Sequence, residues 1–157
     1  MKSLIIVYSY HHNNTEKIAK VFAKVLDAQI KTPQQINPEE LPEYDLIGFG
    51  SGIYSAKHHK LLLDLADELP RVPEGKTFLF STAALTGKKK VYKDHMDLRE
   101  KLQSKGYMII HEFQCKGFNT NSFMKYFGGM NKGRPNAEDL KHAEEFAQNL
   151  KQNPKEK

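Results

Sequence analysis

A single cysteine, Cys115, is all the thiol this sequence carries, so no intramolecular disulfide can form. That fits a reducing, cytoplasmic setting. No stretch approaches the roughly 18 consecutive apolar residues of a membrane-spanning helix, so no membrane span is expected. The opening apolar run, Ser3-Leu4-Ile5-Ile6-Val7-Tyr8, is too short for a secretory signal, and no small-residue cleavage site follows it. It reads as a buried strand. Basic stretches interleaved with aromatics, the kind that stack single-stranded bases, are missing, so nucleic acid is not an expected partner. Internal repeats, low-complexity tracts and a domain-sized linker are missing too.

What remains is an ordinary globular composition: 157 residues, 39% hydrophobic and 27% charged. One domain is expected over residues 1–150, with a frayed polar tail over residues 151–157. The formal charge is +5. A basic surface favours acidic partners or phosphates. The excess is spread along the chain, and its densest run, Lys88-Lys89-Lys90 with Lys93 nearby, reads as a solvated loop and helix start.

The apolar run at residues 3–8 lacks period-two alternation, as expected of a strand buried on both faces of a parallel sheet. From Thr15 to Leu26, the apolar residues Ile18, Val21, Phe22, Val25 and Leu26 recur at helical spacing, with Asn14 placed to cap the helix. Further strands are expected at Ala28–Lys31, Asp45–Gly50, Lys76–Ser81 and Tyr107–Gln114. Helices are expected at Lys57–Leu69, Tyr92–Ser104 (ended by Gly106) and Ala137–Leu150 (capped by Asn136). Thr32–Glu43, with three prolines, reads as a connection holding at most a short helical turn. Strands alternating with helices imply an α/β fold: a three-layer, doubly wound sheet of five parallel strands in the order 2-1-3-4-5.

In such a sheet, ligands bind at the carboxyl ends of the strands, near the point where strand order reverses. The loops to examine are therefore those that follow each strand. The first, Ser9-Tyr10-His11-His12-Asn13-Asn14-Thr15, opens a helix, whose free N–H groups favour an anion. It offers hydroxyls from Ser9 and Thr15 and amides from Asn13 and Asn14, and asparagine tolerates the left-handed backbone an anion nest needs. The same residues also suit a plain polar turn capped by Asn14. The second loop, Gly50 to His59, has glycines that permit close backbone approach and Tyr54 as either a ring-covering or a surface aromatic. The third, Ser81-Thr82-Ala83-Ala84-Leu85-Thr86-Gly87, is built of small residues. Ser81 lies in no Gly-x-Ser-x-Gly elbow, so it is not read as a nucleophile. His11, His12, His58 and His59 share one sheet end, yet adjacent histidines rarely ligate one metal together, and no metal site is expected. Cys115 lacks a resolving partner and reads as a partly buried thiol.

The run Ser9-Tyr10-His11-His12-Asn13-Asn14-Thr15-Glu16-Lys17-Ile18-Ala19 resembles the phosphate loop of the flavodoxin family, where hydroxyl residues surround a glycine or asparagine before a helix-starting threonine. Here His11-His12 stands where a threonine is usual, and Asn13 replaces glycine. The second and third loops resemble the family's flavin-lining loops in position and order. The resemblance implies a flavodoxin-like fold and non-covalently bound flavin mononucleotide (FMN). It implies that Ser9, Tyr10, His11, Asn13, Asn14 and Thr15 hold the phosphate. Gly52, Ile53 and Tyr54 would cover one ring face, and Ser81, Thr82, Ala83, Ala84 and Gly87 would hold the other edge. No side chain need act as acid or base. The implied activity is electron transfer to and from a redox partner protein or a small-molecule donor or acceptor, by a monomer or homodimer. The alternative is an FMN-dependent NAD(P)H or quinone oxidoreductase.

Overall fold

The computed structural model describes residues 1–9, 13–117 and 131–152. The element order is β1 (Ser3–Tyr8), α1 (Asn14–Leu26), β2 (Gln29–Lys31), two 3-10 turns (Pro33–Gln35 and Pro38–Glu43), β3 (Leu46–Tyr54), β4 (Lys57–His58), α2 (Lys60–Glu68), β5 (Gly75–Ala83), α3 (Lys88–Asp94), α4 (Met96–Ser104), β6 (Tyr107–Lys116) and α5 (Ala137–Gln152). Five strands pair in parallel in the order β2-β1-β3-β5-β6, the doubly wound order expected from the alternation of elements. A sixth, β4, is an addition: it turns back antiparallel on the end of β3.

Helices cover both faces of the sheet. On one face Leu4, Ile6, Ile47, Phe49 and Leu79 pack against Leu62, Leu65 and Ala66 of α2 and Leu98 and Leu102 of α4. On the other, Ile5, Val7, Phe78 and Phe80 pack against Ile18, Ala19, Phe22 and Leu26 of α1 and Ala143, Ala147 and Leu150 of α5. Burial on both faces explains why the central strands read as unbroken apolar runs. Phe22 anchors the second face, meeting Phe78, Phe80 and Phe113 edge-on at 5.1–5.5 Å between ring centroids. Gly50 makes room for this cluster: a Cβ there would fall 2.3 Å from the Phe80 ring.

Two local features place side chains at the carboxyl end of the sheet. The first is a register shift in β6. Thr77 of β5 pairs with Ile109, but the next residue, Phe78, pairs with His111, so Ile110 is an extra residue in the ladder. This bulge turns Glu112 and Gln114 to the α4 side and keeps His111, Phe113 and Cys115 on the α1/α5 side. The second is a break in the helix expected over residues 92–104. His95 separates α3 from α4 with φ −92° and ψ −2°, and its ring is wholly buried.

Other boundaries differ modestly from the sequence expectation. Strands β3 and β6 run on to Tyr54 and Lys116, and β5 to Ala83. Helix α2 begins at Lys60 because Lys57 and His58 belong to β4, and α5 continues to Gln152. Asn136 caps α5 as expected: its side-chain oxygen accepts from Asp139 N at 2.9 Å, and the Asp139 carboxylate accepts from Asn136 N at 2.8 Å.

Candidate functional site

The first loop leads from β1 into α1. Asn13 holds φ 52° and ψ 35°, the left-handed conformation anticipated for an asparagine here, and occupies the cap position of α1. The cap is thus Asn13, one residue earlier than the expected Asn14, which begins the helix. Ser9 Oγ accepts the N–H of Glu16 at 3.2 Å, leaving its own hydroxyl hydrogen to donate. Thr15 turns inward, its hydroxyl 2.8 Å from that of Thr82 on β5. That buried bond ties the first loop to the third. Tyr10, His11 and His12 lie outside the described residues.

The second loop is a β-hairpin rather than the open loop expected. Ile53 pairs with His58 and Tyr54 with Lys57. Ser55 and Ala56 form the turn with φ of 52° and 61°, the left-handed pair of a two-residue hairpin. Ser51 Oγ accepts from His59 N at 2.9 Å and donates to the Gly52 carbonyl at 2.7 Å, fastening the hairpin's base. His59 caps α2 through Nδ1, which accepts from Leu61 N, so its remaining ring nitrogen carries the proton in the neutral form. Burial lowers its pKa. Its ring lies 4.2 Å from that of Tyr8 and 5.1 Å, edge-on, from that of Tyr54. The Tyr54 hydroxyl in turn sits over Gly52, 3.1 Å from where a Cβ would be.

Of the third loop, Ser81, Thr82 and Ala83 are buried strand residues, and only Ala84–Gly87 is loop. Asn131 stitches this loop to the end of β6, its side-chain amide donating to the Ala84 carbonyl at 2.7 Å, while Gly117 N donates to the Ala83 carbonyl. Beside them the Asn14 amide lies where a Cβ on Gly117 would be, at 2.7 Å. Gly87, at φ 144°, starts α3 in open space.

Ser81 does not face this end directly. It points into a buried polar network that sequence reasoning missed. Its hydroxyl lies 2.7 Å from His95 Nε2 and accepts from Gln114 Nε2 at 3.1 Å. His95 Nδ1 is 2.9 Å from the Glu112 carboxylate, which also takes two hydrogen bonds from Arg99. The carboxylate fixes the tautomer: Nδ1–H donates to Glu112, and in the neutral ring Nε2 accepts from Ser81. Burial alone would raise the Glu112 pKa, but the hydrogen bonds from His95 and Arg99 outweigh it and hold the group at about 2. Buried Asp94 completes the cluster, bonded to Lys90 and Gln114. His58 packs its ring 4.6 Å from that of His95 and donates from Nε2 to the Phe80 carbonyl. Burial, reinforced by His95, lowers its pKa to about 3, so the ring is neutral at physiological pH. A Ser-His-Glu series suggests acyl transfer, but a wholly buried Ser81 has no access to substrate.

The histidine placement also bears on metals. His58 is engaged inside and His59 caps a helix, and the described residues hold no group of three or more His, Cys, Asp or Glu side chains able to bind a metal ion. Cys115 is buried, and burial pushes its thiol up to about 12, far from the thiolate that redox chemistry needs.

A family model for the flavodoxin domain matches residues 5–117. The chain belongs to the flavodoxin domain family. An uncharacterized protein of Methanocaldococcus jannaschii is 47% identical over 153 residues, spanning 98% of this chain and 100% of that one. Among solved structures, oxidised flavodoxin 2 from Bacillus cereus superposes with a TM-score of 0.72 at 19% identity, covering 97% of this chain and 99% of that one. A flavodoxin from the domain Archaea gives a TM-score of 0.64 at 14% identity, covering 97% of each chain. At these identities the structures speak for the flavodoxin fold. FMN is the cofactor of the family. The described residues fit it: a left-handed asparagine opens α1, and the hairpin, the β5 loop and Gly117 surround the same sheet end.

Proposed function

We propose that this flavodoxin-like protein carries electrons through non-covalently held FMN, linking a redox partner protein or small-molecule donor to an acceptor. The bound flavin supplies the redox chemistry, and the protein supplies position and electrostatics. In this reading Ser9 gives its hydroxyl hydrogen to the phosphate, and Asn13, Asn14 and Thr15 present the N–H groups of the left-handed cap and first helical turn. Tyr10 and His11 complete that loop. Gly52, Ile53 and Tyr54 flank one face of the ring from the hairpin. Thr82, Ala83, Ala84 and Gly87 border its other edge, with Ser81 holding the strand end from within.

One observation supports electron transfer over substrate turnover: the polar side chains behind the site are committed to each other. Thr15 bonds Thr82, Ser51 bonds His59 N and the Gly52 carbonyl, Ser81 bonds His95 and Gln114, and His58 bonds the Phe80 carbonyl. Thr15, Ser51, His58, Ser81, Thr82 and His95 are also buried, out of a substrate's reach, and one-electron transfer requires no proton from them.

The test is spectroscopic. Purified protein incubated with FMN and desalted is expected to be yellow, to resist bleaching by NAD(P)H, and to pass electrons to a soluble acceptor after photoreduction. A colourless product overturns the flavin reading. Bleaching by NAD(P)H within seconds assigns an FMN-dependent oxidoreductase instead.

A further inference from the structure

Acidic residues are missing from the stretches of sequence that carry the strands' carboxyl ends. Residues 3–15, 46–63, 75–93 and 113–137 contain no aspartate or glutamate. All 19 acidic residues lie elsewhere. Of those nearest, Asp94 and Glu112 are neutralised by Lys90 and Arg99, and Asp97 and Asp64 pair with Lys57 and Lys60. Four lysines near this end are left over. Lys88, Lys89 and Lys93 on α3 are exposed, as is Lys132, which follows the Asn131 that stitches Ala84 in place. None of the four forms an ion pair among the described residues.

Two large apolar side chains stand among these cations. Leu85 and Tyr92 are each 59% exposed. Tyr92 is held rather than loose. The Arg99 guanidinium lies over its ring, 5.0 Å from the centroid, and donates to its carbonyl, while Glu112 fixes Arg99 from the buried side. A pre-positioned aromatic is the usual anchor of a protein interface. Unpaired cations around it steer an oppositely charged partner into place.

We infer that the outer face of α3, with Leu85 and Lys132, is the docking surface for an acidic electron-transfer protein. This rests on the reading that the FMN ring edge lies along Ala84–Gly87, the loop from which α3 starts. A partner seated on α3 then approaches the redox centre itself.

The experiment compares two acceptors of opposite charge, an acidic b-type cytochrome domain and the basic cytochrome c. Photoreduced, FMN-loaded protein is mixed with each at ionic strengths from about 10 to about 300 mM. The rate with the acidic cytochrome is expected to fall about tenfold as salt rises, while that with cytochrome c rises or stays flat. The K88E/K89E/K93E variant is expected to lose the salt-dependent advantage, and Tyr92→Ala to slow the acidic cytochrome severalfold with its salt dependence intact. These residues are exposed, so folding is not at stake. Salt-independent rates with both cytochromes, or a rate with cytochrome c that falls as salt rises, overturn the proposal. So does a parent protein that oxidises NADPH together with a triple variant that loses this oxidation but keeps its rate with the acidic cytochrome, because the face would then serve an anionic nucleotide. A neutral soluble quinone separates the two levels. Failure to reduce it removes the electron-transfer reading, whereas quinone reduction with no charge preference removes only the docking surface.

Discussion

The Ser81 hydroxyl lies 2.7 Å from Nε2 of His95, and this bond joins the carboxyl-terminal part of the interior strand β5 to the break between α3 and α4. Through Nδ1 the same ring reaches Glu112 on β6. One imidazole therefore holds three elements in register. Replacing His95 with leucine leaves a buried hydroxyl and a carboxylate each short of a partner. The expected loss is about 2–4 kcal/mol in urea unfolding. His95→Gln, which keeps a donor and an acceptor, is expected to recover part of it. Equal stability of His95→Leu and the parent would show that the network carries no net energy.

Stability is expected to fall in acid in two stages. The folded His58 ring stays neutral down to about 3, whereas an unfolded one protonates near 6.5. Below 6.5 the unfolded state binds a proton that the folded state refuses, so stability declines as pH drops through that window. Glu112 has a folded pKa of about 2 against 4.5 unfolded; its stabilisation is complete above 4.5 and is lost as pH falls towards 2. Urea midpoints measured from about pH 7 down to about pH 4 are expected to slope less in His58→Gln than in the parent. An identical slope would remove His58 as the source.

Asn14→Asp places a negative charge in the first turn of α1, beside the proposed phosphate. FMN affinity is expected to fall at least about tenfold, because like charges repel at that range. Fluorescence titration reads the affinity directly. A thermal melt of the FMN-free variant separates local repulsion from loss of fold. Unchanged affinity would put the phosphate elsewhere.

Gly106 ends the α4 segment at φ 95°, and a Cβ there would sit 1.8 Å from the Val72 carbonyl oxygen. Both the backbone conformation and the space exclude a side chain. Gly106→Ala is expected to cost at least about 2 kcal/mol in urea unfolding. Parent-like stability would mean that the turn relaxes freely.

Much of the fold was legible because its signals are local. The apolar run Leu4-Ile5-Ile6-Val7, the helical spacing from Ile18 to Leu26 and the Asn136 cap each specify an element without outside help. The left-handed residue at the first loop was legible too, because only a few side chains tolerate that conformation. The hairpin was not. Ser55 and Ala56 carry no residue of the kind that normally marks a two-residue turn, and Lys57-His58 looks like the start of a helix until the β3–β4 pairing claims it. The network was hidden for a different reason. The bonds that join Ser81, His95, Arg99, Glu112 and Gln114 span 13 to 33 residues of chain, and only tertiary packing brings those partners together. One trace did exist. Asp94 lies four and eight residues before Leu98 and Leu102, so a carboxylate falls on the buried side of the helical pattern. Such a residue calls for a partner.

The extra residue at Ile110 makes β6 a strand read in two frames. Before it, one parity of residues faces α4; after it, the other parity does. If pairing beyond that point slipped by one, Glu112 would enter the aromatic cluster of Phe22 and Phe146, and Phe113 would displace the partner of His95. An uncompensated carboxylate among phenylalanines is far too costly to persist. The ionic cluster therefore works as a frame check on the last strand: only the bulged alignment satisfies both faces at once. The feature that disguises β6 in the sequence is the one that leaves it a single place to dock.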